Sequence, residues 1–368
     1  MKTATLAAAA SLFTSAALAA PTSTLKAAAA SKVKFAGVNI AGFDFGCGTD
    51  GTCTQTASTA TDPLTDSDGQ GQMDHFVKDD KLNAFRLPVG WQYLVANKLG
   101  GDLDSANAGK YDNLVQGCLK SGAELCIIDI HNYALLERPD HRQGGPTNDQ
   151  FVSLWKQLAT KYKDNTKVAF GVMNEPHDVP DINKWADTVQ QVVTAIRNRG
   201  ATTQYVLLPG NDWTSAAAFI DNGSAAALKK VTNPDGSTDN LIFDVHKYLD
   251  SDNSGTHTEC VTNNIDDAFK PLADWLRQNK RMAINTESGG GNTDSCEKYF
   301  CEQIQYLNQN ADVFLGYTAW SAGGFDQTYE LVQTPISSPM ARTKILHSRR
   351  SALLVLGRML EGRHEFMY

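Results

Sequence analysis

Two apolar runs in this 368-residue chain each end on a glutamate. The first, 168–173, stops abruptly at Asn174, Glu175 and Pro176. The second, starting at Arg281, delivers Glu287 into Ser288, Gly289, Gly290 and Gly291. Apolar runs of this length, bounded by turn residues, suit strands buried on both faces. Pro176 has no N–H to give a ladder, so the first strand must end there. Two carboxyl groups on the tips of parallel strands of one barrel can face each other across a cleft. That is the arrangement glycoside hydrolysis uses: one carboxylic acid protonates the leaving oxygen and one carboxylate attacks, with about 5–5.5 Å between them when configuration is retained.

Other strand-like runs also end on groups able to do chemistry. One carries Arg86 and leads to Trp91. Another ends in Asp129, His131, Asn132 and Tyr133. A third leads to Asn211, Asp212 and Trp213, a fourth holds Asp244, His246 and Tyr248, and the last ends in Thr318 and Trp320. Each alone has a structural explanation. Seven consecutive strand ends gathered on one face do not. An arginine beside one carboxyl would lower its pKa, and a negative neighbour would keep the other protonated. Flat aromatic faces match the apolar faces of pyranose rings, so Trp91, Trp213 and Trp320 are candidate platforms. Trp155, Trp185 and Trp275 fall within helical patterns and are assigned to the core.

The elements that must position these residues alternate along the chain. Strands are expected at 33–40, 82–89, 123–130, 167–173, 203–208, 241–245, 281–285 and 313–318. Helices are expected at 72–81, 107–121, 148–163, 181–199, 214–229, 264–279 and 296–309. Such alternation implies a parallel sheet. Eight units over this length fit a single-domain α/β (β/α)8 TIM barrel better than an open doubly wound sheet. The longest loop, 41–71, holds Cys47 and Cys53, and a disulfide would brace it.

Composition narrows the classes. The chain is 42% hydrophobic and 20% charged, which permits a sizeable core, and its net charge of −8 argues against a nucleic-acid partner. Residues 1–19 read as a secretory signal with a small-residue cleavage site at Ala17-Leu18-Ala19, and 20–32 as a short leader. The mature protein is therefore expected to be soluble, extracellular and monomeric. Seven cysteines in a secreted chain point to disulfides. Zinc is disfavoured, since no Cys-x2-Cys pair or His ligand spacing occurs, and no metal or cofactor is expected. Gly46, Gly48 and Gly51 match a dinucleotide pattern, but no helix opens after them. Asn222-Gly223-Ser224 is a possible glycosylation acceptor.

Together, Arg86, His131-Asn132, Asn174-Glu175-Pro176, His246 and Tyr248, Glu287 and Trp320 resemble the active-site set of glycoside hydrolase family 5. The likeness is greatest to its secreted fungal endo-β-1,4-glucanases and runs over residues 33–335. The resemblance implies that Glu175 is the acid/base and Glu287 the nucleophile. Asn174 would bind the sugar 2-hydroxyl, and Arg86 and Tyr248 would hold the nucleophile charged and aimed. His131 and His246 would hydrogen-bond substrate and carboxylates, and Trp320 would lie beneath the sugar at the cleavage point. The substrate implied is a β-1,4-linked polysaccharide. An endo-β-mannanase shares this set, and a non-catalytic carbohydrate-binding barrel is the reading from a different class.

The likeness stops near residue 335. The catalytic barrel is therefore placed at 33–339, with a divergent basic tail at 340–368. That tail carries six Lys or Arg against two Asp or Glu, a net +4, leaving −12 for the rest of a chain whose total is −8. Members of this type end in a helical segment whose cysteine closes a last disulfide, and no cysteine follows Cys301. The pairs implied are Cys47–Cys53, Cys118–Cys126 and Cys260–Cys296, with Cys301 left over. We read the tail as the product of a reading-frame or splice difference, which is expected to weaken the barrel or inactivate the product. Sequencing the transcript across codons 330–345 tests this: an alternative frame without a cysteine-containing end would sink it.

Overall fold

A computed structural model describes residues 32–53, 59–134 and 146–335. Eight strands follow in chain order: β1 (Phe35–Ala41), β2 (Ala84–Val89), β3 (Leu125–Ile130), β4 (Val168–Gly171), β5 (Val206–Pro209), β6 (Leu241–His246), β7 (Ala283–Glu287) and β8 (Phe314–Gly323). Every pairing is parallel, neighbours pair in sequence order, and β8 returns to β1, so the sheet is a closed barrel rather than an open sheet. The helices among the described residues are α1 (Pro63–Asp66), α2 (Gly69–Lys78), α3 (Trp91–Leu94), α4 (Asn107–Ser121), α5 (Asn148–Tyr162), α6 (Ile182–Asn198), α7 (Ser224–Leu228), α8 (Lys270–Asn279) and α9 (Asp294–Gln309). Helices between the strands make this the (β/α)8 fold.

Side chains alternate across each strand, so residues two apart share a face. The inward positions near the strand starts form one apolar cluster that includes Phe35, Leu125, Ile127, Leu207, Ile242 and Ile284. The intervening positions, among them Phe85, Ile128, Phe170 and Phe243, face the helices and join the large core with Trp155, Val189 and Leu276. This double burial is why the strands read as continuous apolar runs. Helix starts are set locally. Thr147 and Gln150 form a reciprocal capping box on α5, and the Asp181 carboxylate accepts from Asn183 N at 2.9 Å on α6.

Two helical expectations need correction. The helix expected over 214–229 shrinks to α7. Its first part is consumed by β6 instead: His246 N donates to Thr214 O at 3.0 Å and Ala216 N to His246 O at 2.9 Å. Gly223, at φ 82, then permits the turn into α7. The helix expected at 264–279 opens as a π-helical turn, Ile265–Phe269, before α8. Pro271 cannot donate an i→i−4 bond, and the wider turn accommodates it. The short helices α1 and α3 have too few residues to show a period and were not expected.

Disulfides join Cys47 to Cys53, Cys118 on α4 to Cys126 on β3, and Cys260 to Cys296 at the start of α9. Cys301 is unpaired among the described residues, and burial pushes its thiol up to about 12. The expected signal segment 1–19, leader residues 20–31 and tail 340–368 lie outside the described residues, as does 336–339. No described helix is long and apolar enough to cross a membrane.

Candidate active site

The carboxyl-terminal ends of the strands converge on Glu287, at the last position of β7 and 4% exposed. Arg86 of β2, wholly buried, donates from Nη1 to Glu287 Oε1. The Tyr248 hydroxyl donates to Oε2 at 2.8 Å. Both terminal nitrogens of Arg86 are engaged, while Nε is buried without a partner. Its Nη2 donates to Asn174 Oδ1 at 2.6 Å and lies 3.0 Å from Asp129 Oδ1, and Nη1 donates to Asn39 Oδ1 at 3.0 Å. Burial alone would raise the Glu287 pKa. The positive charges of His246, Arg86 and His131, and then the Tyr248 hydrogen bond, overcome it and bring the carboxyl down to about 2. For Arg86 burial works against the charge, and Asp129 and Glu287 more than restore it.

Glu175 sits one residue after Asn174 at the β4 tip, with φ 42, a left-handed conformation uncommon outside glycine. Its side chain is 15% exposed, so one end meets the cleft. Oε1 lies 2.7 Å from His246 Nδ1, and Glu287 Oε2 lies 3.7 Å from the same nitrogen. One oxygen from each glutamate and a His246 ring nitrogen all fall within 4.8 Å of one another. Proton counting fixes the His246 ring. Thr286 Oγ1 gives its one proton to Asp244 Oδ1, so at 2.9 Å it must accept from His246 Nε2–H. The Nδ1 side is thus the side that faces the glutamates. Burial would lower the His246 pKa, but Glu287 and Glu175 raise it above the usual value.

His131, beyond the end of β3, hydrogen-bonds Asp129 Oδ2 through Nδ1 at 2.9 Å and stacks on the Trp320 ring, 14° from parallel. Trp320, on β8, donates from Nε1 to Tyr329 Oη at 2.9 Å. Trp213 is 47% exposed and stacks on His177 with centroids 4.7 Å apart. Trp320 is 8% exposed, so Trp213 is the more open of the two rings. Asn174 accepts from Arg86 through Oδ1, and its Nδ2 is buried without a partner.

Two expected site residues fall elsewhere. Trp91 is 1% exposed and packs on Phe151 with ring centroids 5.6 Å apart, so no sugar can stack on it. It opens α3, which turns the indole into the layer between sheet and helices. The Asn132 side chain is occupied by the protein: Oδ1 accepts from Trp91 N at 2.7 Å and Nδ2 donates to Gln92 Oε1 at 2.7 Å. It ties the loop after β2 to the loop after β3.

Several residues at the site carried no assigned role in the sequence reading. Asn39 donates from Nδ2 to Thr286 O at 2.9 Å and Ala319 O at 3.0 Å while accepting from Arg86. Thr286, Asp129 and Asp244 form the supports already described. Asp44, 6% exposed, accepts from Gly42 N at 2.7 Å, and burial raises its carboxyl pKa. Tyr133 borders both His131 and His177 edge-on. A polar residue inside an otherwise apolar strand was the available signal for Asn39.

Among the described residues two sets of side chains have metal-ligand proximity: Glu175, His246 and Glu287, and separately Asp250, Asp252 and His257. In the first, Glu287 is already engaged by Arg86 and Tyr248. In the second, Asp250 Oδ2 already accepts from Ser254 Oγ, Thr256 N, His257 N and His257 Nδ1.

Residues 38–323 match the family described as cellulase, glycosyl hydrolase family 5. Endoglucanase EG-II of Hypocrea jecorina is 67% identical over 315 residues, 84% of this chain and 74% of that one. Endoglucanase 1 of Saitozyma flava is 45% identical over 338 residues, 91% of this chain and 95% of that one. The crystal structure of Cel5A (EG2) from Hypocrea jecorina superposes with a TM-score of 0.79 at 67% identity, covering 84% of this chain and 94% of that chain.

Proposed function

We propose that this chain, which belongs to the cellulase family, glycosyl hydrolase family 5, is a retaining endo-β-1,4-glucanase. The observation that carries the reading is the pair of strand-tip carboxyl groups with oxygens within 4.8 Å. Nearest oxygens this close suit the retaining spacing of about 5–5.5 Å between carboxyl groups better than the inverting spacing of about 6.5–9.5 Å. Relatives named endoglucanases support β-1,4-glucan over mannan as the polymer.

In this reading Glu287, held ionised, attacks the anomeric carbon as Glu175 gives its proton to the glycosidic oxygen. The C1–O bond breaks, the leaving chain departs with that proton, and the sugar remains esterified to Glu287. Glu175, now a carboxylate, takes a proton from water as the water oxygen attacks C1, which frees Glu287 and restores Glu175. His246 Nδ1, 2.7 Å from Glu175 and 3.7 Å from Glu287 Oε2, stabilises whichever carboxyl carries charge at each stage. The free Asn174 Nδ2 is suited to a sugar hydroxyl. Trp320, braced by Tyr329, supports the ring at the cleavage point, and exposed Trp213 supports a neighbouring sugar. Residues 1–19 direct secretion, and three disulfides suit an extracellular setting.

The test compares the unaltered chain with Glu287→Gln for reducing ends released from soluble β-1,4-glucan and from mannan. A 2-deoxy-2-fluoro-β-cellobioside should add one glycosyl mass to Glu287 of the unaltered chain. Undiminished glucan cleavage by folded Glu287→Gln overturns the mechanism, and preference for mannan overturns the substrate.

A further inference from the structure

The tips of β6 and β7 carry Tyr248 and Glu287, yet the ladder between them is irregular there. Register shifts between Val245 and His246, so that His246 pairs with Glu287. The β7–β8 ladder is also irregular, between Ala283 and Asn285. Past the irregularity Lys247 N still donates to Glu287 O at 3.1 Å, and a buried polar chain adds a second tie between the tips. Asn264 Nδ2 donates to Tyr248 O at 2.9 Å and to Gln303 Oε1 at 3.0 Å. Gln303 Nε2 donates to Ser288 Oγ at 2.8 Å, and Ser288 Oγ donates to Lys247 O at 2.7 Å. Ser288 O in turn accepts from Trp320 N at 2.8 Å. Asn264 and Gln303 are both 0% exposed, and Ser288 is 1% exposed.

Gln303 is the middle of this chain. It belongs to α9, on the outer ring, and touches neither glutamate, but its amide joins the backbone that follows His246 to the residue that follows Glu287. Asn264 holds the left-handed conformation, φ 57, ahead of the π-helical turn and leaves its own Oδ1 without a partner. Filling space alone would favour an apolar side chain here, because an unmatched buried acceptor is costly. The ring of Tyr248 is bounded on another side by Gly255, where an added Cβ would lie 2.7 Å from ring atoms. The tyrosine has no slack toward that loop, so a shift of its backbone must appear at its hydroxyl.

We propose that Gln303, bridging Asn264 and Ser288, is a positioning residue that sets the distance between the Tyr248 hydroxyl and the Glu287 carboxylate. The inference rests on the reading of Glu287 as nucleophile. Misplacing a reacting group by about 1 Å can cost about a hundredfold in rate, and a smaller slip costs less. Cutting the bridge should therefore lower kcat about tenfold and leave KM within about twofold.

The experiment uses the full chain and an aryl β-cellobioside. Gln303→Leu and Ser288→Ala cut the bridge at two points, and each is measured alone and combined with Tyr248→Phe. Gln204→Leu is the control. Gln204 is equally buried but bonds Lys163 O and Asn165 O, away from the β6 and β7 tips. The expected result is the kcat loss in the single variants, almost none beyond that of Tyr248→Phe in the combined ones, and a lower Tm with normal kcat in the control. Should Gln303→Leu not fold, Ser288→Ala decides. An unchanged kcat, a change in KM alone, or a full extra loss in the Tyr248→Phe background overturns the inference. An active Glu287→Gln would instead overturn the functional reading beneath it.

Discussion

The two ends of the barrel are built on the same strands and the same inward face, and they differ by a step of two residues. In β3, Leu125 and Ile127 belong to the lower apolar cluster, and Asp129 follows. In β2, Ala84 gives way to Arg86. In β6, Ile242 gives way to Asp244 and then His246, and in β7, Ile284 to Thr286. Both ends are removed from water. The lower end gains from this directly, because burying apolar surface is worth about 25 cal/mol per Å². The upper end does not, since each buried charge is tolerable only while its partner remains. The lower end is thus expected to govern stability and the upper end chemistry, with the upper end more sensitive to single changes.

The sharpest way to break this division is Arg86→Met. It strands the buried carboxylates of Asp129 and Glu287 together. Activity should fall about a hundredfold or more, and urea denaturation should show a loss of about 3–5 kcal/mol. A stable, active variant would refute the idea that the upper charges hold one another. Ile127→Ala is the counterpart below. It should cost about 2–5 kcal/mol by the same denaturation assay while kcat of the folded protein stays within about twofold.

Tyr248→Phe is milder, because it removes one hydrogen bond and keeps the shape. That bond helps hold Glu287 down at about 2, so its loss lets the pKa rise toward 4.5. The acidic limb of the kcat/KM profile should move to higher pH. His246, Arg86, His131 and Glu175 still face the carboxyl, so the move should be partial. An unmoved limb would show that Tyr248 does not act on the charge of Glu287.

The smallest effect is in the shape of the stability curve. His131 and His246 have pKa values raised above 6.5, with burial opposing Asp129 in the first and the glutamates in the second. A raised value in the folded state stabilises fully below 6.5 and loses that contribution as pH rises through it. Glu287 is depressed from 4.5, so its contribution is present above 4.5 and is lost as pH falls toward about 2. Tm should therefore be highest between these limits and decline on both sides. His246→Gln should flatten the alkaline decline. Ile127→Ala should lower the whole curve without changing its shape, and an altered shape there would blur the two ends.

Much of the upper end was legible because strand tips are where a buried apolar run must stop. A glutamate, arginine or histidine at that point stands out from the residues before it. Glu175, Glu287, Arg86, His246 and Tyr248 were visible for that reason and converge in the structure. Trp91 misled because residue type does not say which way a ring turns, and α3 is too short to reveal a face. Asn132 misled in the opposite way: a polar side chain at a strand tip can be spent on a neighbouring loop. Gln303 had no signal, since a glutamine within a helical pattern ordinarily meets solvent.

The order of apolar runs and helical periods by itself determined an alternating parallel architecture, and the residues ending those runs determined which side chains would reach one face. Both follow from local rules: strands alternate, helices repeat, and proline and glycine end them. The register at the β6 and β7 tips, the distance between Glu175 and Glu287, the ring orientation of His246 and the bridge through Gln303 were decided only by the tertiary structure. Each depends on groups from elements distant in sequence coming within a few ångströms. Those distances are set by packing and register across the closed sheet, which no local pattern encodes.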